Sequence, residues 1–530
     1  MQTDVLIIGA GPTGLMLANQ LARRGIRPMI IDRHSGPAQQ TRAMAVHART
    51  LEIYAKMGLA DQALRLGARG EGADIWANGR WSAHIPLGDM GKEQSPFPFV
   101  LMLGQDDNER IMGERLAKEG VPIEWRTELV ALAERADHVD ATLRRPDGST
   151  VTVAASWVAG CDGSRSAVRE LNHIGFPGAP YEQTFFVADT EAVGPMKPGH
   201  LNVYLWQDGF HLFFPMRGKD RWRVIGILPK GLRQKENVRF EEITPAIRQE
   251  AGAALTFTSC SWFSTYRIFH RAAERFRQGR CFLLGDAAHI HSPMGGQGMN
   301  TGLQDAYNLA WKLALVVQGR AEQRLLDSYE NERLPVARRL LETTDRAFQL
   351  IVSDTWLAAL FRTRILARLA ARAMTFARAR KLAFRTLSQI GIAYPASPLS
   401  EMLGRPDGGA PRAGDRFPWL HLSFAPNGAI EDLFARLDDT CFNLLVVGQK
   451  PSAEMHGIDG LRVHTVESSP QNDAELARAG IGATSFYLLR PDGHIGLCGG
   501  ELNAAIIRKY AEERLHLLPS NVRLGSLDAA

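Results

Sequence analysis

The sequence predicts an α/β protein with a doubly wound core, an inserted β-sheet domain, a helical segment and a separate C-terminal α/β domain. Three observations lead there. A strand–glycine turn–helix–strand unit of about 30 residues opens the chain, which implies a parallel sheet. A strand-rich stretch that holds many of the aromatic residues occupies 175–270. Strand and helix patterns resume after it and continue beyond a proline- and glycine-marked linker near residue 400.

The opening unit reads as a strand over 5–8, a turn over 9–13, a helix over 14–24 closed by Gly25, and a strand over 28–32. Residues 75–82 carry Asn78-Gly79 between short alternating arms, the signature of a hairpin with a primed turn. It belongs to an excursion over about 72–104 within a first core segment of 1–174. The inserted sheet domain spans 175–270, with strands at 201–206, 211–215, 223–228 and 261–269. The core resumes over 271–399 with a buried strand at 281–284 and a helix over 299–318 ended by Gly319. Its long helical periodicity over 334–392 carries Arg362, Arg364, Arg368, Arg372, Arg378, Arg380 and Arg385, read as the solvated faces of amphipathic helices. A C-terminal domain over 400–530 alternates strands at 441–447, 461–466, 485–489 and 493–497 before a helix over 503–517.

Composition bounds the function. The 530 residues are 45% hydrophobic and 22% charged, which excludes a disordered, collagen-like or coiled-coil chain. A net charge of +5 is too dilute to suggest a nucleic-acid partner. Cys161, Cys260, Cys281, Cys441 and Cys498 are scattered with no CxxC spacing, so neither a disulfide framework nor a metal site is expected and a cytoplasmic location fits. The chain enters a strand pattern at once, without the features of a targeting segment, and holds no apolar run long enough to span a membrane.

Gly9-Ala10-Gly11-Pro12-Thr13-Gly14 is a GxGxxG between a strand and a helix, with Asp32 ending the next strand. In this Rossmann-like setting Gly9 permits the tight turn, Gly11 admits a pyrophosphate to the backbone, and Gly14 lets helix and strand pack closely. Asp32 is placed to accept hydrogen bonds from an adenosine ribose. The motif calls for a dinucleotide without separating FAD from NAD. Two further motifs follow apolar strand segments: Cys161-Asp162-Gly163-Ser164-Arg165-Ser166, and Gly285-Asp286-Ala287-Ala288-His289 with Pro293-Met294-Gly295-Gly296-Gln297-Gly298-Met299-Asn300 behind it.

With these motifs in this order, residues 1–400 resemble the single-component FAD-dependent aromatic hydroxylases. This group includes 4-hydroxybenzoate hydroxylase, phenol hydroxylase, 3-hydroxyphenylpropionate hydroxylase and rifampicin monooxygenase. The resemblance implies a Rossmann-like FAD-binding domain in which Gly285 and Asp286 meet the ribityl chain and Asp162-Gly163 serve flavin and nicotinamide cofactor together. It matches Arg42 and Gln105 to flavin and pyrophosphate contacts, and sets Pro293 and the Gly296, Gly298, Met299 and Asn300 loop against the flavin ring. No second GxGxxG exists, so NAD(P)H is implied as a transient cosubstrate. Arg33 and Arg42 are read either as partners of a 2′-phosphate, which would favour NADPH over NADH, or of a pyrophosphate, or as surface arginines.

The implied reaction is hydroxylation of a phenolic or polycyclic aromatic by O2 through a flavin C4a-hydroperoxide, the alternative being an oxidase-type or non-catalytic flavoprotein that sequesters an aromatic compound. The catalytic base is not readable, with His211 and Pro293 the candidates. Tyr204, Trp206, His211 and Phe213 are expected on the substrate side of the sheet, although strand alternation sends only half of such a set inward. His289 is expected to be structural, and His291 is left open. From Pro406-Asp407-Gly408 onward the chain resembles the thioredoxin-like tail of the phenol hydroxylase branch, with Arg490-Pro491-Asp492-Gly493 as its hairpin. The cysteine pair needed for thiol exchange is missing, which leaves this domain a structural part or a contact in a homodimer.

Overall fold

The computed structural model describes residues 1–38, 43–88, 90–206, 209–233, 235, 237–251, 254–292, 294–352, 355, 360–404, 408–426, 428–456 and 460–518. Arg42, Pro293, Pro406 and Asp407 lie outside these. Three larger sheets organise the chain. The first has eight strands, of which Cys281–Leu283, Thr150–Gly160, Gln2–Ile8, Met29–Asp32 and Ile123–Trp125 run parallel. Val5, Leu6 and Ile7 are fully buried, as the continuous apolar run of a doubly covered parallel strand requires. The helix Pro12–Ala22 packs on the sheet and against the helices Gln105–Lys118 and Gln297–Val317.

The second sheet, also of eight strands, is the inserted domain. Its order is His289–Ile290, Thr256–Ala272, Gly178–Val193, Arg221–Ile227, Gly209–Pro215, His200–Trp206, Gly72–Ala77 and Arg80–Pro86. Asn78 and Gly79 take φ of 49° and 74°, the geometry of a primed turn. The hairpin they close lies outside the parallel sheet: Gly72–Ala77 pairs in parallel with His200–Trp206 and completes the inserted sheet. Val100–Met102 instead joins Ala45–Val46 and Ala68–Gly70 in a small three-stranded sheet.

The helix Phe240–Ala251 covers one face of the inserted sheet through Ile243 and Ile247. Phe348, from the helix Asp327–Val352, packs on the other face. The third sheet has five mixed strands, ordered Glu401–Met402, Ile495–Gly499, Ser485–Leu489, Phe442–Val447 and Leu461–Val466. All five cysteines are free, and no helix among the described residues is long and apolar enough to cross a membrane.

Candidate active site

Gly11 caps the helix Pro12–Ala22 with no side-chain hydrogen bond, and no acidic residue sits in its first turn. The first amides are therefore open to an anion, with the helix dipole favouring one. Space around the glycines divides their roles. A Cβ on Gly14 would lie 1.9 Å from the Gly9 carbonyl oxygen, whereas one on Gly11 would meet nothing within 4 Å. Asp32 ends its strand with Oδ2 accepting the Ala10 N–H at 2.8 Å and Oδ1 accepting the His34 N–H at 2.8 Å. Arg33 is exposed next to it. Gln105 donates from Nε2 to Glu109 Oε1 at 2.8 Å, and the Ala38 N–H donates to Glu109 Oε2 at 2.8 Å. Burial raises the Glu109 carboxyl above its ordinary value despite these bonds, and the Asp32 charge adds to the rise.

The later motifs converge on the same turn. A Cβ on Gly285, which has φ 58°, would lie 2.6 Å from Thr13 Oγ1, and one on Gly302 would lie 2.5 Å from the same atom. Glycine turn, GD turn and the helix Gln297–Val317 thus meet around one threonine hydroxyl. The GD turn is clamped from behind by Asp305, whose Oδ2 accepts the Gly285 N–H at 3.0 Å and pairs with His289 Nε2 at 2.8 Å. Its Oδ1 accepts Arg333 Nε–H at 2.6 Å. Burial would raise the Asp305 carboxyl, but the Arg333 and His289 charges hold it below the usual range. This leaves the Asp286 side chain exposed at the turn.

Arg169 ties the two loops together, donating to Ala287 O at 3.0 Å and to Ser164 O at 2.9 Å. Asp162 accepts the Val168 N–H on Oδ2 at 3.2 Å, its Oδ1 is buried without a protein partner, and burial raises its carboxyl. Sequence reasoning missed Asp305, Arg333 and Arg169, which lie outside the stretches 161–166, 285–289 and 293–300 singled out above.

Gly295 and Gly296 take φ of 74° and 64° ahead of the helix Gln297–Val317, and a Cβ on Gly296 would press to 2.6 Å from Ala45 Cβ. Asn300 locks this approach. Its Oδ1 accepts the His47 N–H at 2.9 Å and the Thr50 hydroxyl at 2.8 Å, while its Nδ2 donates to Ala45 O at 2.8 Å and Gly296 O at 2.9 Å. The Asn300 side chain is thus fully committed to protein partners. His47 donates from Nε2 to Gly295 O at 2.8 Å, and burial lowers it to about 4, so its ring is neutral with Nδ1 unpartnered. A Cβ on Gly298 would stand 3.5 Å from His291 Cε1, an ordinary contact distance, and Met299 is half-buried. His291 donates from Nδ1 to Ser292 O at 3.0 Å, and burial lowers it to about 4 as well.

Of the four residues expected on the substrate side of the inserted sheet, Tyr204, His211 and Phe213 turn to the face covered by the helix Phe240–Ala251. Tyr204 and Phe213 are buried with Phe186, Ile243 and Ile247 under the helix Phe240–Ala251. His211 lies opposite Tyr204 in the ladder and reaches Glu250 on that same helix, Nε2 to Oε2 at 2.7 Å. Burial lowers this histidine against the pull of Glu250. Trp206 covers the His211 ring at 3.9 Å between centroids and joins the cluster of Phe185, Phe210 and Phe348. Period-two alternation sends Phe210, Leu212 and Phe214 the other way. Phe214 packs with Ala45, Val100, Met102 and Leu387, an apolar wall next to the Gly295-Gly296 turn.

Open first-turn amides, an acidic strand end and glycine approaches around Thr13 define a dinucleotide-binding oxidoreductase of the flavin type. FAD suits the donor set. Buried Asp162 Oδ1, His47 Nδ1, His291 Nε2 and Ser292 Oγ, all on motif-bearing or adjoining segments, have no protein partner. A family model described as an FAD binding domain matches residues 2–344. The 6-methylpretetramide 4-monooxygenase of Streptomyces rimosus is 35% identical over 542 residues, covering 99% of this chain and 96% of that protein.

Two solved structures are similar throughout. The anhydrotetracycline hydroxylase OxyS from Streptomyces rimosus superimposes with a TM-score of 0.79 at 28% identity, covering 97% of this chain and 99% of that one. Aklavinone-11 hydroxylase, solved with FAD and aklavinone, gives 0.78 at 26% identity, covering 97% and 99%. The chain belongs to the FAD-dependent aromatic monooxygenases.

Proposed function

We propose that this chain hydroxylates a phenolic or polycyclic aromatic compound, using FAD with NAD(P)H and O2 as cosubstrates. The observation that carries the reading is the meeting of the glycine turn, the GD turn and the long helix at Thr13, beside an apolar wall built by Phe214, Val100 and Met102. Gly9, Gly11, Pro12, Thr13, Gly14 and Asp32 would hold the adenosine diphosphate end, with Arg33, Arg42 and Gln105 near the phosphates. Gly285 and Asp286 would hold the ribityl chain, and Asp162 and Gly163 would serve flavin and nicotinamide cofactor together. Pro293, Gly296, Gly298, Met299 and Asn300 would face the ring, Asn300 through its backbone because its side chain is spent on Ala45 and His47.

When bound, FAD supplies electron transfer from NAD(P)H and the activation of O2. The chain's own residues supply the setting. The amides that open the helix Gln297–Val317 favour negative charge at its N-terminus. The apolar wall excludes water and offers a flat aromatic a surface without hydrogen-bond demands. Neutral His47 and His291 add unprotonated ring nitrogens rather than charge.

The proposal divides the chain into a flavin domain over 1–174 and 271–399, a sheet domain over 175–270 with the 72–86 hairpin added, and a C-terminal thioredoxin-like domain over 400–530. A cytoplasmic location accords with five free thiols. The homodimer expectation is read by light scattering on the FAD-loaded protein.

Nicotinamide oxidation is to be followed with and without simple phenols and multi-ring aromatics, with product and hydrogen peroxide both quantified. A true substrate accelerates oxidation above the basal rate and gains one oxygen atom. An unchanged rate across the panel, with peroxide alone formed, refutes hydroxylation and favours the oxidase or sequestering alternative.

A further inference from the structure

We propose that Asp74, His84 and His200 bind one divalent transition-metal cation, with zinc the occupant that the donor set favours. The three residues come from three adjacent strands of the inserted sheet, where Asp74 lies opposite both His84 and Asn202. One ligand atom from each lies within 4.8 Å of the other two. Asp74 is fully buried, and its carboxylate faces His84 Nδ1 at 2.9 Å and His200 Nδ1 at 2.7 Å. Zinc–ligand bonds of about 2.0–2.2 Å set tetrahedral edges of about 3.3–3.4 Å, so seating the cation requires each imidazole to carry its proton on Nε2 instead of Nδ1 and the carboxylate, which now bridges the two rings through separate oxygens, to turn toward the cation.

The surroundings match a built site. The Trp81 indole N–H donates to Asp74 Oδ1 at 3.2 Å and orients the carboxylate. His200 Nε2 lies 3.9 Å from Glu71 Oε2, too far for a hydrogen bond but close enough that a turn of the exposed Glu71 side chain would bring a carboxylate to the N–H of a metal-bound imidazole. Gly72 leaves room for the second imidazole, since a Cβ there would come to 2.4 Å from His84 Cε1. The His84 side chain is 35% exposed and that of His200 15%, which provides entry from solvent and a position for a water as fourth ligand.

Two imidazoles and one carboxylate suit zinc over magnesium or calcium, which require more oxygen ligands. A bound cation would pin the hairpin of Gly72–Ala77 and Arg80–Pro86 to the strand His200–Trp206. The site lies among the outermost strands of the inserted sheet and serves no step proposed for hydroxylation.

The test uses the full-length, FAD-loaded protein, stripped with a chelator and exchanged into metal-free buffer. Calorimetric titration with zinc chloride is expected to show one saturable step per chain, weakened about tenfold or more in His84→Ala and in His200→Ala. The flavin spectrum reports whether each variant is folded. Zinc should raise the melting temperature of the unsubstituted protein and leave that of His84→Ala unmoved. Cobalt(II) titrated into the unsubstituted protein should give the visible absorption of a low-coordinate nitrogen and oxygen site, a readout that depends on no variant. No saturable zinc step, a step as tight in both variants as in the unsubstituted protein, or a cobalt spectrum like that of the ion in water overturns the assignment.

Discussion

Replacing Asp305 with Asn keeps the side chain's shape and removes its charge at the point where the GD turn is held. The carboxylate accepts three donors: Arg333 at 2.6 Å on one oxygen, and Gly285 N–H at 3.0 Å with His289 at 2.8 Å on the other. An amide has one acceptor oxygen. Whichever way it turns, its NH2 group confronts either the Arg333 guanidinium or the Gly285 and His289 donors. Asp305 and Arg333 are fully buried, so the arginine loses its counter-ion in a place water does not reach. Removing one member of such a pair costs about 3–5 kcal/mol. Arg333 keeps Tyr394 OH at 3.0 Å and Thr301 O at 3.1 Å, which puts the expectation at the lower end, about 3 kcal/mol.

Part of that loss should appear as weaker FAD binding, because the backbone of Gly285 is what Thr13 and Gly302 pack against. A loosening worth about 1.4–2.8 kcal/mol corresponds to about ten- to hundredfold in affinity. The sign of the pH dependence follows from the depressed carboxyl. Its stabilisation is present above the ordinary value of 3.8 and is lost as pH falls through the lower folded value, so variant and parent converge in acid. The assay is thermal unfolding of the apo and FAD-loaded proteins across pH, with fluorescence titration of FAD. A variant with the parent's midpoint and the parent's FAD affinity at neutral pH would refute the clamp.

Asp286→Ala should lower FAD occupancy far more than apo-protein stability, because the side chain is exposed at the turn and its truncation removes no core methylene. Full occupancy measured by flavin release from the purified variant would show the ribityl assignment to be misplaced. Lys312 is buried against Glu332 Oε2 at 2.8 Å, and burial lowers its ammonium from 10.5 to about 8. Between those values the folded chain has shed a proton that the unfolded chain keeps, so stability rises with pH through that window, by about 3 kcal/mol at about 1.36 kcal/mol per pKa unit. Lys312→Met should abolish that rise, and an unaltered alkaline limb in denaturant titrations would contradict it.

What could be read from the sequence was whatever the chain states locally. The GxGxxG turn, the Asn78-Gly79 hairpin and the helix ended by Gly319 each rest on residues within a few positions of one another. Long-range choices left no such trace. Nothing local announces that Gly72–Ala77 pairs in parallel with His200–Trp206, and that pairing moves the hairpin into the inserted sheet. Alternation along Gly209–Pro215 distinguished two faces without saying that Phe214, and not His211, is the residue that meets the Gly295-Gly296 turn. Asp305 and Arg333 read as ordinary polar helix residues because a buried pair carries no periodic signature. The Asp74, His84 and His200 cluster escaped for the same reason, its members lying on three strands without metal-ligand spacing.

The C-terminal part bears on the flavin side through consecutive residues of one helix. Arg490, at the hairpin turn of the five-stranded sheet, donates to Glu332 Oε1 at 2.6 Å and Oε2 at 3.1 Å, and pairs with Asp492. Glu332 also accepts Lys312, Asn308 and the Ser397 hydroxyl, and the Arg490 and Lys312 charges hold it down to about 2 against the effect of burial. The next residue, Arg333, holds Asp305 and so the GD turn. Successive helical residues point about 100° apart, which lets the helix Asp327–Val352 grip the C-terminal hairpin with one side chain and the cofactor turn with its neighbour. A redox role has no comparable support. Burial raises the Cys441 and Cys498 thiols to about 11, far from the thiolate that exchange chemistry needs. Loosening the C-terminal hairpin should therefore be felt at Gly285 before it is felt anywhere in the inserted sheet, because Glu332 and Arg333 cannot move independently.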